Sequence, residues 1–267
     1  MQKNNYSNFY KKGFILEKNF LTKDDKNKVL KVLKKNFFEY VPYLKKKTNL
    51  ENTEFHQQIL KLRKRKKLFG ELYDKLNLSS DLRNIFYQDK FLKKFKQILK
   101  SEEVFLNGFM LRFDAPFDKR NSLDWHQDSP YYMQTYPKFN SGVCWLPVTN
   151  NSEKNGTLQF IENSNKKFLK SSFSNNDKYT TSQYSLNVSK TEQKQLVNLN
   201  QKFGDVSFLH MNLKHRSGIN SSKKMRITIA CRFHCMKHFN VGKEIYFYND
   251  KSLRKKDKYI IKKKYII

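Results

Sequence analysis

From residue 104 onward, the sequence changes from helical periodicity to a succession of short segments rich in β-branched and aromatic residues. Five such runs stand out, at residues 105–113, 142–148, 157–161, 205–209 and 226–233. Turn-forming Asn, Ser, Gly and Pro residues separate them, without helical segments between them. Several short strands in this arrangement predict a sandwich or barrel.

The first hundred residues have the pattern of helices that follow one short strand at residues 13–17. Thr22 precedes Lys23 and two aspartates, which is typical of a capped helix start. The next apolar residues fall on one helical face, and further amphipathic stretches follow at residues 59–76 and 82–99. The predicted fold is therefore mainly β with flanking helices, of the α+β class.

We predict a single domain over residues 1–267, because no linker or internal repeat divides the chain. Its parts are a mainly helical segment (1–103), a β core (104–240) and a basic C-terminal tail (241–267). Within the core, residues 164–202 are long, polar and rich in Ser and Asn. Such a segment is expected to be a surface insertion or a lid over a site.

The chain carries 54 Lys and Arg against 24 Asp and Glu, a formal net charge of +30. This excess has two possible explanations: a polyanionic partner such as nucleic acid, or a compositional bias in which the lysines are simply solvated. We favour the bias, because the lysines are spread along the whole chain, and nucleic acid is then not an expected partner. No segment is long and apolar enough for a membrane span, and no secretory signal begins the chain, so we predict a cytoplasmic protein.

The three cysteines, Cys144, Cys231 and Cys235, are too few for a disulfide framework and are expected to be buried thiols. Cys231 and Cys235 also lie near two histidines, His234 and His238, which raises the question of a zinc site. On an extended strand, however, His234 faces away from both cysteines. Packing at the end of a strand is therefore the better interpretation than zinc binding.

The segment WHQD at residues 125–128 carries the most informative chemistry. His126 and Asp128 are two residues apart, so an extended backbone points both side chains to the same face. A metal site needs a third ligand, and both His210 and His215 are candidates. Two histidines and one carboxylate on one face of an octahedral metal leave three open positions, as in non-haem Fe(II) oxygenases. Arg226 could offer its planar fork to the distal carboxylate of a 2-oxo acid.

Together these motifs resemble the phytanoyl-CoA dioxygenase-like branch of the Fe(II)/2-oxoglutarate oxygenases. Residues 126–128 resemble the H-Q-D ligand motif of that family, and Trp145 with Asn155-Gly156 resembles its W…N-G strand pair. Residues 204–226 resemble its G-D…H-x-S-x-x-N…R signature. The resemblance covers most of the chain, although the N-terminal part, residues 9–21, is the least specific.

The resemblance implies a double-stranded β-helix, or jelly-roll, core with the N-terminal helices packed on it. Iron would be bound by His126, Asp128 and His215, whereas His210 would be structural. Arg226 and Ser217 would hold the distal carboxylate of 2-oxoglutarate, and the implied neighbours of this co-substrate are Gln127, Trp145 and Asn220. The implied reaction is the O2-dependent hydroxylation of a small molecule, with release of succinate and CO2. The positive charge of the chain favours an anionic substrate.

One turn departs from the family pattern. Where the family often has P-G-S-H, this chain has Glu162-Asn163-Ser164-Asn165. None of these positions is an expected iron ligand, so the implied reaction type is unaffected, and the difference concerns the shape of the turn.

The alternative function is a non-catalytic basic binding module for nucleic acid or another anionic surface. Such a module stacks bases on exposed aromatic residues interleaved with basic ones. The candidates for stacking are Tyr131, Tyr132, Tyr136 and Tyr179. The complete set of predicted iron ligands favours the enzyme.

Overall fold

The computed structural model of the chain describes residues 5–42, 50–118, 122–132, 135–169, 171–174 and 183–238, and the predicted basic tail lies outside them. One strand, β1 (Phe14–Glu17), lies among the N-terminal helices, which are α1 (Asn5–Lys11), α2 (Lys23–Tyr40), α3 (Thr53–Lys64), α4 (Lys66–Leu78), α5 (Ser80–Arg83) and α6 (Asp89–Leu99). None of the helices in these ranges combines the length and apolar character needed to cross a membrane.

The remaining strands are β2 (Val104–Asp114), β3 (Ser141–Pro147), β4 (Leu158–Ile161), β5 (Ser172–Ser174), β6 (Gln183–Ser185), β7 (Leu196–Asn198), β8 (Val206–His210), β9 (His215–Ser217) and β10 (Arg226–Cys235). A short helix, α7 (Lys190–Gln193), lies between β6 and β7. Each of the five strand segments predicted from the sequence coincides with one of these strands, whereas the three-residue strands were not predicted.

Helix α2 shows how the sequence sets the boundaries of the N-terminal helices. The hydroxyl of Thr22 accepts a hydrogen bond from the Asp25 amide, and the Asp25 carboxylate accepts one from the Thr22 amide. Such a capping box satisfies amides that the first helical turn leaves without partners, and contributes about 1 kcal/mol. One face of the helix, formed by Val29, Leu33 and Phe37, is fully buried in the main apolar core.

Two antiparallel sheets form the β core. The larger sheet has the strand order β1-β8-β3-β10-β2, and the smaller one has the order β7-β4-β9. A small apolar cluster joins Val143 and Trp145 of the larger sheet to Leu158 and Phe160 of the smaller one. The α+β class is confirmed, and the facing antiparallel sheets are consistent with the predicted double-stranded β-helix.

The segment at residues 164–202 is only partly an insertion. Its strands β5 and β6 pair with each other in a separate two-stranded antiparallel sheet, but β7 pairs with β4 in the smaller sheet. The expectation of a surface insertion or lid over the whole segment is therefore too broad, because its last part belongs to the β core. Strand β7 was not predicted because it is only three residues long and lies within a polar segment.

Strand β10 alternates between two environments along its length. The odd-numbered residues, among them Ile227, Ile229 and Phe233, enter the apolar core shared with the helices. The even-numbered residues therefore point to the opposite face of the sheet, as the period of two requires. Arg226 and Arg232 lie on this second face and line a cavity between the two sheets.

The cysteines are buried and free, as predicted. Cys144 and Cys231 lie directly opposite each other on β3 and β10, and burial together with the neighbouring thiol raises the pKa of Cys144. Among the described residues, Cys231, Cys235 and the nearby histidines form no group of convergent metal ligands.

The turn at residues 162–165 keeps a conformation suited to glycine although it contains none. Asn163 has a φ of 64° and a ψ of 6°, in the left-handed region that Asn tolerates better than most residues. Asn165 is buried and donates to the carbonyl oxygens of Phe9 and Tyr10. Ser164 accepts from the amide of Lys214, the residue before His215. The altered sequence thus still ties this turn to the start of β9.

We predict that Phe95→Ala lowers the free energy of unfolding by about 3–5 kcal/mol, because a buried ring leaves a cavity. Phe95 of α6 is fully buried and stacks on Phe233 of β10, with ring centroids 4.5 Å apart. Urea denaturation measures the change. Leu78→Ala is the control, since Leu78 is 71% exposed and should change the free energy by less than about 0.5 kcal/mol. Similar losses in both variants would contradict this packing.

Candidate active site

Reciprocal backbone hydrogen bonds bring His126 and His215 side by side. The His126 amide donates to the His215 carbonyl at 2.9 Å, and the His215 amide donates to the His126 carbonyl at 2.9 Å. The segment around His126 thereby continues the smaller sheet beyond β9. Because directly paired residues send their side chains to the same face, the two imidazole centroids are only 4.1 Å apart.

The three predicted ligands converge in the cavity between the sheets. The donor atoms of His126, Asp128 and His215 all lie within 4.8 Å of one another. Each histidine places its Nδ1 near a backbone carbonyl, that of Asp124 at 2.6 Å for His126 and that of Leu213 at 2.9 Å for His215. A proton on each Nδ1 leaves the lone pair of Nε2 facing the cavity, where it can bind a metal.

The protonation states suit metal binding. Burial and the neighbouring His126 lower the pKa of His215 to about 4, so this imidazole is neutral at pH 7. Burial alone would raise the pKa of Asp128, but the charge of Arg232 and the two histidines hold it well below its usual range. The site therefore presents the neutral imidazole of His215 and the carboxylate of Asp128 beside the imidazole of His126, and two histidines with one carboxylate are the donor set of the non-haem Fe(II) oxygenases.

Arg232 was not predicted as a site residue. Its Nε and Nη2 donate to Oδ2 of Asp128 at 3.3 and 3.1 Å. A signal was present in the sequence, because Arg232 is six residues after Arg226 and the alternation of β10 places both on one face. Its partner could not be predicted, since Asp128 is 104 residues away in the chain.

Arg226 is buried in the same cavity, but its fork does not face a ligand. Its Nε and Nη2 donate to Oδ2 of Asp114 at 3.1 and 2.7 Å, while Arg112 donates to Oδ1 at 3.0 Å. The carboxylate of Asp114 occupies the edge of the guanidinium formed by Nε and Nη2, and the binding of a co-substrate by Arg226 stays a prediction. The remaining nitrogen, Nη1, is buried and has no partner among the described residues.

Six of the eight predicted site residues line one cavity, namely His126, Asp128, Trp145, His215, Ser217 and Arg226. Like Nη1 of Arg226, the indole nitrogen of Trp145 is buried without a partner among the described residues. Ser217 accepts a hydrogen bond from the Leu123 amide at 3.2 Å. Two unpartnered donors near the three metal ligands fit the carboxylate oxygens of 2-oxoglutarate.

Gln127 and Asn220 do not belong to this group. The amide of Gln127 donates to the carbonyls of Lys167 and Asn212 and accepts from the amide of Leu169. Asn220 donates to the carbonyls of Asp114 and Lys224. Both side-chain amides therefore bind backbone groups that lie outside the cavity lining, and these contacts connect neighbouring loops. The prediction that they neighbour the co-substrate is not supported.

His210 lies outside the group of metal ligands. It is buried, its Nδ1 accepts from the Asn212 amide, and its ring packs against Phe9 and Tyr10. Burial and the charge of Lys166 lower its pKa to about 4. These contacts support the structural role that the sequence implied.

The tyrosines considered for base stacking are engaged within the protein. The hydroxyl of Tyr131 accepts from the Tyr184 amide, and the two rings form an edge-to-face contact. Tyr132 lies against the guanidinium of Arg232 at 4.8 Å, and Tyr136 packs on Phe139. Tyr179 lies outside the described residues. The described tyrosines therefore give no support to a base-stacking surface.

The fold is similar to that of several proteins of known structure. A non-haem monooxygenase, ThoJ in its apo form, has a TM-score of 0.59 and 17% identity, covering 87% of this chain and 77% of that one. EctD from S. alaskensis with bound Fe has a TM-score of 0.60 and 13% identity, covering 89% and 78%. The epimerase SnoN, in complex with Fe3+, α-ketoglutarate and nogalamycin RO, has a TM-score of 0.59 and 11% identity, covering 94% and 91%. At these identities the likeness concerns the fold.

The sequence itself identifies the family. A comparison with curated proteins gave no match. The sequence profile of the family described as "Phytanoyl-CoA dioxygenase (PhyH)" matches residues 9–228. The motifs predicted an oxygenase that uses Fe(II) and 2-oxoglutarate, and this match confirms that prediction. Because the match spans more than four-fifths of its length, the chain belongs to the phytanoyl-CoA dioxygenase family.

Proposed function

We propose that this protein hydroxylates a small-molecule substrate with O2 and 2-oxoglutarate, and that succinate and CO2 are released. One observation carries the proposal: three convergent metal ligands and an unpartnered guanidinium nitrogen share one buried cavity. When bound, Fe(II) and 2-oxoglutarate supply the oxidising chemistry, for which protein side chains have no equivalent. The residues of the chain bind these groups, orient them and limit the access of water.

Metal binding is the role of His126, Asp128 and His215. Hydrogen bonds from Nδ1 to backbone carbonyls fix the rings of both histidines, so their Nε2 atoms are oriented before a metal arrives. Oδ1 of Asp128 is 3.6 Å from each Nε2 and completes the donor set. Three protein ligands leave coordination positions for a chelating co-substrate and O2.

Binding of 2-oxoglutarate is the role of Arg226, with Trp145 and Ser217 beside it. Asp114 holds the guanidinium of Arg226 at two nitrogens, so Nη1 is left for the distal carboxylate. A hydrogen bond between charged groups in a buried site is stronger than a neutral one. The apolar side chains of Val143, Leu158 and Leu209 line other parts of the cavity and limit its hydration.

An anionic substrate fits the charge of the cavity. Its lining includes one carboxylate, Asp128, and four arginines, which are Arg112, Arg216, Arg226 and Arg232. Even with Asp114 paired to two of these arginines, positive charge remains in excess. A divalent metal and a dianionic co-substrate offset each other, so the excess persists when both are bound and attracts a further anion.

We predict that Asp128→Ala abolishes the conversion of 2-oxoglutarate to succinate, because the variant lacks the one anionic metal ligand. His210→Ala should keep much of this activity, since His210 lies outside the ligand group. Succinate release, measured per mole of folded protein under air with added Fe(II), compares the two variants. Equal loss in both would contradict the ligand assignment.

We predict that Arg226→Lys weakens 2-oxoglutarate binding about 10- to 100-fold, which corresponds to one lost hydrogen bond to a charged group. Lysine keeps a positive charge near Asp114 but has only one nitrogen. Arg226 uses two nitrogens, Nε and Nη2, to hold the Asp114 carboxylate and has a third, Nη1, for the co-substrate. The measurement is an anaerobic titration with Fe(II) and 2-oxoglutarate, followed by the weak visible absorption band of the chelate.

Arg83→Lys is the matched control for this titration. Arg83 is exposed and donates to the Asn77 carbonyl, and it lies outside the cavity lining. This variant should bind 2-oxoglutarate like the unmodified protein. Folded, unmodified protein that develops no absorption band would contradict the proposed function, and a salt-sensitive nucleic-acid complex formed without iron would then support the binding module.

A further inference from the structure

We infer that Arg232 is a positioning residue for the metal ligand Asp128: it holds one carboxylate oxygen so that the other faces the two histidines. This inference rests on the proposed function, since it concerns the same metal site. The two oxygens of Asp128 have different surroundings. Oδ1 is 3.6 Å from Nε2 of both His126 and His215, whereas Oδ2 accepts two hydrogen bonds from Arg232.

Arg232 lines the cavity, and its guanidinium contacts groups of the protein at each of its nitrogens. Nε and Nη2 donate to Asp128, and Nη1 donates to the Gly108 carbonyl at 2.8 Å. Every guanidinium nitrogen therefore has a partner within the protein. The plane of the group is also fixed, because the ring of Tyr132 lies against it at 4.8 Å.

The backbone at Gly108 is adapted to this arrangement. Gly108 has a φ of +55°, and a Cβ at this position would lie 2.7 Å from atoms of the Tyr132 ring. A larger residue would therefore displace the ring that lies against Arg232. The shift in pairing between β10 and β2 also falls at Arg232, opposite this segment. The Asp128 carboxylate, the Gly108 carbonyl and the Tyr132 ring thus hold the guanidinium of Arg232 in place. A group that orients another side chain must itself be held in this way.

The consequence of this contact is a carboxylate that offers a single oxygen to the metal. If Oδ2 were released, the carboxylate could rotate, and Oδ1 would no longer be held towards the two histidines. Charge alone would act in the opposite direction on metal affinity. A nearby cation repels a divalent metal, so its removal would strengthen binding if Arg232 acted only through its charge.

Anaerobic titration of the full chain with Fe(II), and with Mn(II) as a second probe, tests the inference through dissociation constants. Arg232→Met removes both the charge and the hydrogen bonds, while Arg232→Lys keeps the charge but lacks the pair of nitrogens, Nε and Nη2, that donate to Oδ2 of Asp128. We expect both variants to bind metal about 10- to 100-fold more weakly, which is typical for loss of a partner that orients a ligand. Arg83→Lys is the matched control, because Arg83 also packs on an aromatic ring, that of Phe109. It should bind metal like the unmodified protein, since Arg83 lies outside the cavity lining.

The outcomes separate this inference from the proposed function. Unchanged or tighter metal binding by Arg232→Met, with the unmodified protein binding normally, would overturn the positioning role. Normal binding by Arg232→Lys with tighter binding by Arg232→Met would assign a charge effect and also overturn it. Failure of the folded, unmodified protein to bind Fe(II) or Mn(II) would instead overturn the proposed function. Thermal unfolding of each metal-free variant identifies the folded fraction used to calculate its dissociation constant.

Discussion

Strand β10 separates the apolar core from the polar cavity, and both depend on its alternation. Ile227 and Ile229 pack with the helices, whereas Arg226 and Arg232 reach the cavity on the other face. A shift of one residue would send arginines into the apolar core and isoleucines towards the metal ligands. Pairing with β3 on one side and β2 on the other fixes the register, so the same hydrogen bonds that build the sheet also position the site.

Buried charge is the second constraint on this cavity. Asp114, Asp128, Arg226 and Arg232 are each less than 9% exposed, and every one of them has an oppositely charged partner. Buried ion pairs seldom add net stability over apolar residues of similar size, whereas removal of one partner costs about 3–5 kcal/mol. Stability alone therefore does not explain these pairs. Their value lies in orientation, since each holds a group that the proposed reaction uses.

Local patterns in the sequence indicated the pair of His126 and Asp128 and the major strands, whereas the choice of His215 over His210 rested on the family resemblance. His126 and Asp128 are two residues apart, and the strand segments are rich in β-branched and aromatic residues. Contacts that depend on sheet order had no such pattern. Asp114 meets Arg226 only because β2 lies beside β10, and Arg232 meets Asp128 across 104 residues of chain. Proximity in the motif was misleading for Gln127, since a residue between two inward-facing ligands points outward.

Arg226 and Arg232 show how the bonding of a buried donor distinguishes structure from ligand binding. Both lie on one face of β10, are buried and contact an aspartate, so burial and charge pairing alone do not distinguish their roles. All three nitrogens of Arg232 bind protein groups, whereas Nη1 of Arg226 has no partner among the described residues. A buried donor without a partner is costly, and native structures retain few of them. In the proposed function the unpartnered nitrogen of Arg226 therefore binds a ligand, whereas the contacts of Arg232 hold Asp128 in place.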